Sequence, residues 1–335
     1  MKIAVIGAGA IGALVAGYLK LKGEDVLLVG RPESIRAINK DGLKISGVRG
    51  SFKVEIPAQV ALTYKPEVLI LATKTQDITS ALKDNIGLIQ DSIILTTQNG
   101  VQAEKIVSGY LSQEKIISSI VMFGSTYLNP GEVVHNFEGS WILGSIFGNR
   151  LDTKVLSLSS VLDRAFPTLL SEDILGMKYL KIFVNANNCI PAILGVSIQE
   201  AFSDLEICRV SINIWREGLE IVSESGVKLS SLPGFPIENI TKLISLPSDE
   251  AAKAFSGIMA KLSKTPLYGS ILQSIKRGRK SEIDYINGEF VNLAEENKLS
   301  APVNSKLVDM VHQVEETGKF FSKNDFLNIL KISLN

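Results

Sequence analysis

Lys2-Ile3-Ala4-Val5-Ile6-Gly7-Ala8-Gly9-Ala10-Ile11-Gly12-Ala13-Leu14-Val15-Ala16-Gly17-Tyr18-Leu19 is the stretch that decides the fold. Residues 2–6 form an apolar, partly β-branched run of strand length, and residues 13–19 read as a helix. Between them stands Gly-x-Gly-x-x-Gly. Set between strand and helix, that spacing is a dinucleotide-binding fingerprint. Gly7 permits the tight turn, Gly9 lets the backbone approach a pyrophosphate, and Gly12 lets helix and strand pack closely. Ala10, Ile11 and Gly12 then open the helix, where N–H groups and the helix dipole favour phosphate. A lysine ahead of an apolar stretch also fits a secretory leader. Five glycines within residues 7–23 suit a turn and close packing better.

At 335 residues, 45% hydrophobic and 21% charged, the chain can build a real core in one large or two ordinary domains. The formal net charge is zero, which argues against nucleic acid or a membrane surface as partner. No apolar run reaches the length of a membrane span. Cys189 and Cys208 are too few for a disulfide scaffold or a structural zinc site. With only His135 and His312, a multi-histidine metal site is not expected either. The expectation is a soluble, cytoplasmic protein without a metal.

Working outward, the first half alternates strand and helix. Asp25–Val29, Val68–Ala72, Ser92–Thr96 and Ile116–Val121 are further apolar runs of strand length. Such runs, separated by helical segments, indicate a parallel, doubly wound sheet covered on both faces. Leu43–Ile45 and Phe52–Val54 flank Gly47 and Gly50 as a hairpin insert. Val133–His135 and Trp141–Leu143, joined through Gly139, are expected to form an antiparallel extension. From about Ile174 strand signals stop and a 3.6-residue apolar period takes over. The expected architecture is an α/β Rossmann-type domain over 1–172 that binds the cofactor, followed by an all-α substrate domain over 173–335.

The end of the second strand chooses the cofactor. NAD enzymes place an acidic residue there to hold the ribose 2′-hydroxyl. Here the strand runs into Gly30-Arg31, and Asp25 lies at the wrong end. A guanidinium can take a 2′-phosphate through charge-assisted hydrogen bonds. Arg31 therefore points to NADPH/NADP+ rather than NADH; the competing reading is an exposed loop arginine.

Three features offer chemistry. Thr73-Lys74-Thr75-Gln76 and Gln98-Asn99-Gly100 follow apolar strands, where a doubly wound sheet binds its ligands. Each also reads as a helix cap or a turn. Next, Lys181, Asn185 and Asn188 fall at i, i+4 and i+7, one face of a helix that should kink or end at Pro191. A lysine and two amides suit an oxygen-rich small molecule, with Lys181 donating a proton to a developing alkoxide; a solvated helix face is the plain alternative. Last come Ser270-Ile271-Leu272-Gln273 and Ser281-Glu282-Ile283-Asp284, both of which fit the capping-box pattern.

Taken in order, Gly7-x-Gly9-x-x-Gly12, Lys74, Gln98-Asn99-Gly100, Lys181-x-x-x-Asn185, Ser270-x-x-Gln273 and Ser281-Glu282-Ile283-Asp284-Tyr285-Ile286-Asn287-Gly288 resemble the ketopantoate reductases (2-dehydropantoate 2-reductases). The resemblance spans nearly the whole chain, and its most specific part is the Glu-Ile-Asp-Tyr-Ile-Asn-Gly run. It implies an N-terminal Rossmann domain with a helical C-terminal domain. It also implies NADPH-dependent reduction of a 2-oxo acid, ketopantoate to pantoate, in pantothenate and coenzyme A biosynthesis.

By the same resemblance Lys181 is the general acid and Glu282 lies near it, tuning it and touching the cofactor. Asn185 binds substrate oxygen, Ser270 takes the carboxylate, Asn99 sits near nicotinamide and substrate, Lys74 lines the cofactor cleft, and Arg31 takes the 2′-phosphate. Tyr179 stands where the family often has tryptophan. Cys189 stands at the family's second asparagine, with Asn188 adjacent, and Gln199 is a loose match for a further polar residue. Val227–Leu267 is longer than in compact members. Relatives that reduce another 2-oxo or 3-oxo acid, or that bind NADPH as regulators without catalysis, are the alternatives. The partner is a small 2-oxo acid; an apolar helix face serves a core or a homodimer interface equally well.

Overall fold

A computed structural model describes residues 1–148, 152–263 and 265–331, so the last four residues of the expected helical domain lie outside the described residues. The chain forms two compact units, Met1–Leu175 and Gly176–Asn335.

The first unit runs β1 (Lys2–Ile6), α1 (Ala10–Leu21), β2 (Asp25–Val29), α2 (Pro32–Asp41), β3 (Leu43–Gly47), β4 (Phe52–Val54), β5 (Ala58–Gln59), β6 (Val68–Leu71), α3 (Ile78–Ile89), β7 (Ile93–Thr96) and α4 (Gln102–Ser108). It continues through β8 (Ile116–Val121), β9 (Gly124–Asn129), β10 (Glu132–Phe137), β11 (Trp141–Gly144), α5 (Thr153–Asp163) and β12 (Thr168–Leu170). The main sheet has the order β12-β11-β8-β7-β6-β1-β2-β5, and only the β11–β8 pair is antiparallel.

Side chains alternate across a strand, so each strand feeds two cores. Ile3, Val5, Val26 and Leu28 pack with Leu14, Ile35 and Leu158 of α1, α2 and α5. Ala4, Ile6, Leu27 and Leu69 pack with Leu82 and Val107 of α3 and α4. Burial on both faces explains why these strands read as continuous apolar runs.

The expected pairing of Val133–His135 with Trp141–Leu143 is not what forms. Trp141–Gly144 joins the main sheet against β8. Glu132–Phe137 instead joins a second sheet, β4-β3-β10-β9, pairing parallel with β3 and antiparallel with β9. The buried hydroxyl of Tyr18 bonds His135 Nδ1 at 3.2 Å, which ties that sheet to α1.

The second unit contains α6 (Ile174–Ala186, which begins two residues ahead of it), α7 (Cys189–Leu194), α8 (Ile198–Ala201), α9 (Leu205–Glu224) and α10 (Glu238–Ser245). It goes on with α11 (Ser248–Ala260), α12 (Ser270–Lys276), α13 (Asn287–Glu296), α14 (Pro302–Thr317) and α15 (Lys323–Lys331). α10 and α11 occupy most of the long Val227–Leu267 stretch, and the Phe255 ring meets those of Trp215 and Phe202 edge-on. No described helix is long and apolar enough to cross a membrane.

Candidate functional site

In the first unit the glycine turn has the geometry its sequence requires. Gly7 adopts φ +116°, and a Cβ there would stand 2.5 Å from the Ala72 carbonyl. A Cβ on Gly12 would stand 1.9 Å from the Gly7 carbonyl oxygen, so helix and turn meet closer than any side chain allows. A Cβ on Gly9 would meet nothing within 4 Å. Gly9 is also the N-cap of α1 and gives it no side-chain cap. The turn therefore leaves open space in front of helix N–H groups, which is the cradle a pyrophosphate needs.

The loops after β6 and β7 close on that turn. Gln98, 6% exposed, donates Nε2 to the carbonyls of Leu71 (3.0 Å) and Thr73 (2.8 Å) and accepts from Thr97 N–H through Oε1 (3.0 Å). Its amide thus locks the two strand ends together, a structural task the motif did not reveal. Lys74 and Asn99 beside it are half-buried, and Gly100 takes φ +77°. The Thr73 hydroxyl is buried without a hydrogen-bond partner among the described residues, and Thr73 N lies 2.7 Å from where a Gly7 Cβ would be. An unmet hydroxyl beside an open glycine turn fits a polar ligand there. Arg31 caps α2 and is exposed, with Nη2 3.7 Å from Asp77 Oδ2.

The second unit carries Lys181, Asn185, Asn188, Ser270 and Glu282. Lys181 and Asn185 lie one turn apart on α6 and both are half-buried. The other face of α6 is fixed by packing: Phe183 meets Phe290 at 4.9 Å between centroids, and its carbonyl accepts the Trp215 indole N–H at 2.8 Å.

The sequence put Asn188 on the same helical face; the structure corrects this. α6 stops at Ala186, and Asn188 N–H bonds the Asn185 carbonyl at 2.9 Å in the break before α7. Pro191 falls in the first turn of α7, where its missing N–H costs nothing, so it does not mark the break. Asn188 leans on the start of α12: its Oδ1 is 3.2 Å from where a Gly269 Cβ would stand.

Neither capping box forms as the spacing suggested. Gly269 is the N-cap of α12, Ser270 is its exposed first residue, and Gln273 Nε2 turns back to the Tyr268 carbonyl at 2.8 Å. Ser281 Oγ accepts from Ile283 N–H at 3.3 Å, but Asp284 pairs with His312 at 3.0 Å instead of reaching back. Glu282 is not in the first turn of an α-helix; it precedes a single 3-10 turn, Ile283–Tyr285.

The electrostatics of this cluster centre on Lys181. It keeps partial solvent access, yet loss of hydration is the largest influence on its ammonium and brings its pKa from 10.5 to about 7. The positive charge of Lys178 pushes the same way, and Glu282 opposes both. Lys178, one turn earlier, is only 2% exposed. Burial likewise raises the Tyr179 hydroxyl to about 12, helped by Glu289 and Glu296.

Cys189 is fully buried, and its thiol is pushed up by burial while the Asn287 amide bonds it. Asn287 Nδ2 donates to Asn304 Oδ1 at 2.9 Å, and Asn304 Nδ2 donates to Glu217 Oε1 at 2.8 Å. Glu217 also accepts the N–H groups of Val303 and Asn304, both at 2.8 Å, and so caps α14. Cys189 thus belongs to a buried structural chain, and Asn188 is the one against α12.

Among the described residues no group of three or more His, Cys, Asp or Glu could hold a metal. The profile described as "Ketopantoate reductase PanE/ApbA" matches residues 3–148, and "Ketopantoate reductase PanE/ApbA C terminal" matches residues 173–315. The 2-dehydropantoate 2-reductase of Pyrococcus horikoshii is 31% identical over 95% of this chain and 99% of its own. That of Pyrococcus abyssi is 31% identical over 93% and 97%. Two solved structures share the fold at 24% identity. One is a D-mandelate dehydrogenase with NADH and anilino(oxo)acetate, with TM-score 0.81 over 95% of this chain and 99% of that one. The other is a PanE/ApbA family ketopantoate reductase from Ralstonia eutropha, with TM-score 0.79 over 94% and 99%. With both halves matched and relatives aligned nearly end to end, this chain belongs to the ketopantoate reductase family and is an oxidoreductase acting on the CH–OH/C=O pair with a nicotinamide cofactor.

Proposed function

We propose that this chain reduces a 2-oxo acid with NADPH, ketopantoate being the leading substrate, and that Lys181 is the general acid. What carries this reading is the placement of Lys181 one helical turn from Asn185 on α6, with Glu282 near enough to act on its charge and burial bringing its pKa down to about 7. Gly7, Gly9, Ala10, Ile11 and Gly12 would hold the pyrophosphate, with Lys74 and Asn99 at the neighbouring strand ends. Arg31 would take the 2′-phosphate; its exposed contact with Asp77 is weak enough to be exchanged for it. Bound there, NADPH supplies the hydride.

The protein's own task is the developing negative oxygen. Lys181 Nζ holds the proton for it, and the Glu282 carboxylate favours the charged form of the lysine. Ser270 would receive the substrate carboxylate, Asn185 its hydroxyl, and Asn188 would complete the pocket. A second reading, a relative that reduces a different 2-oxo or 3-oxo acid, draws on Cys189, which is buried in a structural chain where the family pattern has asparagine.

Initial rates of NADPH oxidation with a panel of oxo acids test this. kcat/KM for ketopantoate should exceed that for 2-oxoisovalerate, which lacks the hydroxymethyl group, by at least roughly tenfold. Lys181→Ala should lower kcat by roughly 10²–10⁴. Rapid turnover of some other oxo acid, with both of these slow, would select the second reading. An enzyme inert to every 2-oxo acid would remove the first.

A further inference from the structure

The chain that leads into α12 is held by two glutamine amides. Gln199 of α8 donates Nε2 to the carbonyls of Ser263 (3.3 Å) and Thr265 (3.0 Å), and its Oε1 accepts Leu267 N–H (2.9 Å). Next to it, Ile198 N–H donates to the Leu267 carbonyl at 2.9 Å. Gln273, inside α12, holds the Tyr268 carbonyl at 2.8 Å. Residues 265–268 have no regular secondary structure of their own. Their course is set from outside, through their main chain. Directly after them, Gly269 rests against the Asn188 side chain and Ser270 begins the helix.

We propose that Gln199 and Gln273 are positioning residues, which fix residues 265–268 so that Ser270 is presented beside Asn188 to the carboxylate of the substrate. This rests on the reading of Ser270 as the carboxylate site. Gln199 spends both Nε2 hydrogens and one acceptor site of Oε1 on three main-chain groups, so it acts through the segment it holds. Loss of the hold lets Ser270 drift. Misplacement by about 1 Å can cost up to two orders of magnitude where geometry matters. A carboxylate contact present before and during reaction shows itself in KM, not kcat.

The test is steady-state kinetics with the full chain. Gln199→Ala should raise KM for the 2-oxo acid by about tenfold, with kcat changed less than about threefold and KM for NADPH unchanged. Gln273→Ala, which removes a single bond, should give a smaller rise in the same direction and serves if the first variant folds poorly. Gln199→Glu keeps an acceptor for Leu267 N–H but turns a carboxylate oxygen toward the carbonyls of Ser263 and Thr265, so KM should stay raised. Combined with Ser270→Ala, Gln199→Ala should add little, because one residue acts through the other.

Unchanged KM in both glutamine variants, or full additivity with Ser270→Ala, overturns the proposal. A protein that turns over no 2-oxo acid overturns the carboxylate reading and this role with it. In that case, hydrogen exchange at Leu267 N–H in Gln199→Ala still reports whether the hold itself exists.

Discussion

A lysine whose pKa is brought to about 7 is half-charged where most proteins work, and the sign of each neighbour's effect can be read at once. With Lys181 as the general acid proposed above, reduction would need its protonated form, so kcat should fall on the alkaline side with a midpoint near that value. Lys178 repels the Lys181 charge; Lys178→Met should move the midpoint to higher pH while leaving the plateau rate within about threefold. Glu282 attracts it; Glu282→Gln should move the midpoint to lower pH. Rate–pH profiles of the three proteins decide this, and identical midpoints would detach both neighbours from the acid. Lys181 and Asn185 were legible in the sequence because a helical period predicts a face. The depth of Lys178 was not, because a period says nothing about how far a side chain is enclosed. Asn188 was misplaced for a related reason: the spacing assumed an unbroken helix, and α6 ends two residues earlier.

At the scale of the elements, the strand–turn–helix at the N-terminus allows the two jobs of its glycines to be separated. Gly12 serves packing, so Gly12→Ala pushes a Cβ into the Gly7 carbonyl and should cost about 1–3 kcal/mol of stability. Gly9 faces open space at φ −93°, so Gly9→Ala should leave stability within about 0.5 kcal/mol. It should nevertheless weaken NADPH binding by at least about tenfold, the added methyl standing where the phosphates approach. Fluorescence titration and thermal melts together check the pair; tight binding by Gly9→Ala would mean the pyrophosphate lies elsewhere. The buried parallel strands were legible because burial on both faces writes them as unbroken apolar runs. β9, Gly-Ser-Thr-Tyr-Leu-Asn, carries no such run. The partner of β10 could not be read locally, since β3 lies more than eighty residues earlier in the chain. The false capping boxes show that a three-residue spacing fixes neither the cap nor the direction of its side chains; Gly269 caps α12 in place of Ser270, and Glu315 accepts the Ser281 N–H that Asp284 was expected to take.

For the molecule as a whole, a ligand that binds only the folded state raises its stability by about 2.7 kcal/mol at a hundredfold excess over Kd. NADPH should therefore raise the melting temperature more than NADH at equal concentration, and Arg31→Ala should erase most of the difference. Equal shifts in the unmodified protein would deny Arg31 its role. The zero net charge leaves little general electrostatic pull, so discrimination between the two cofactors has to come from local contacts of this kind. The hold on residues 265–268 has a different reach. Hydrogen bonds from Gln199 and Gln273 end on carbonyls and an N–H that every residue type but proline provides in full. Such an attachment is blind to side chains. The segment leading to Ser270 is thus free to vary in composition while keeping its path, and with Ser270 at the substrate as proposed it would be a scaffold on which new substrate preferences can be written without rebuilding the fold.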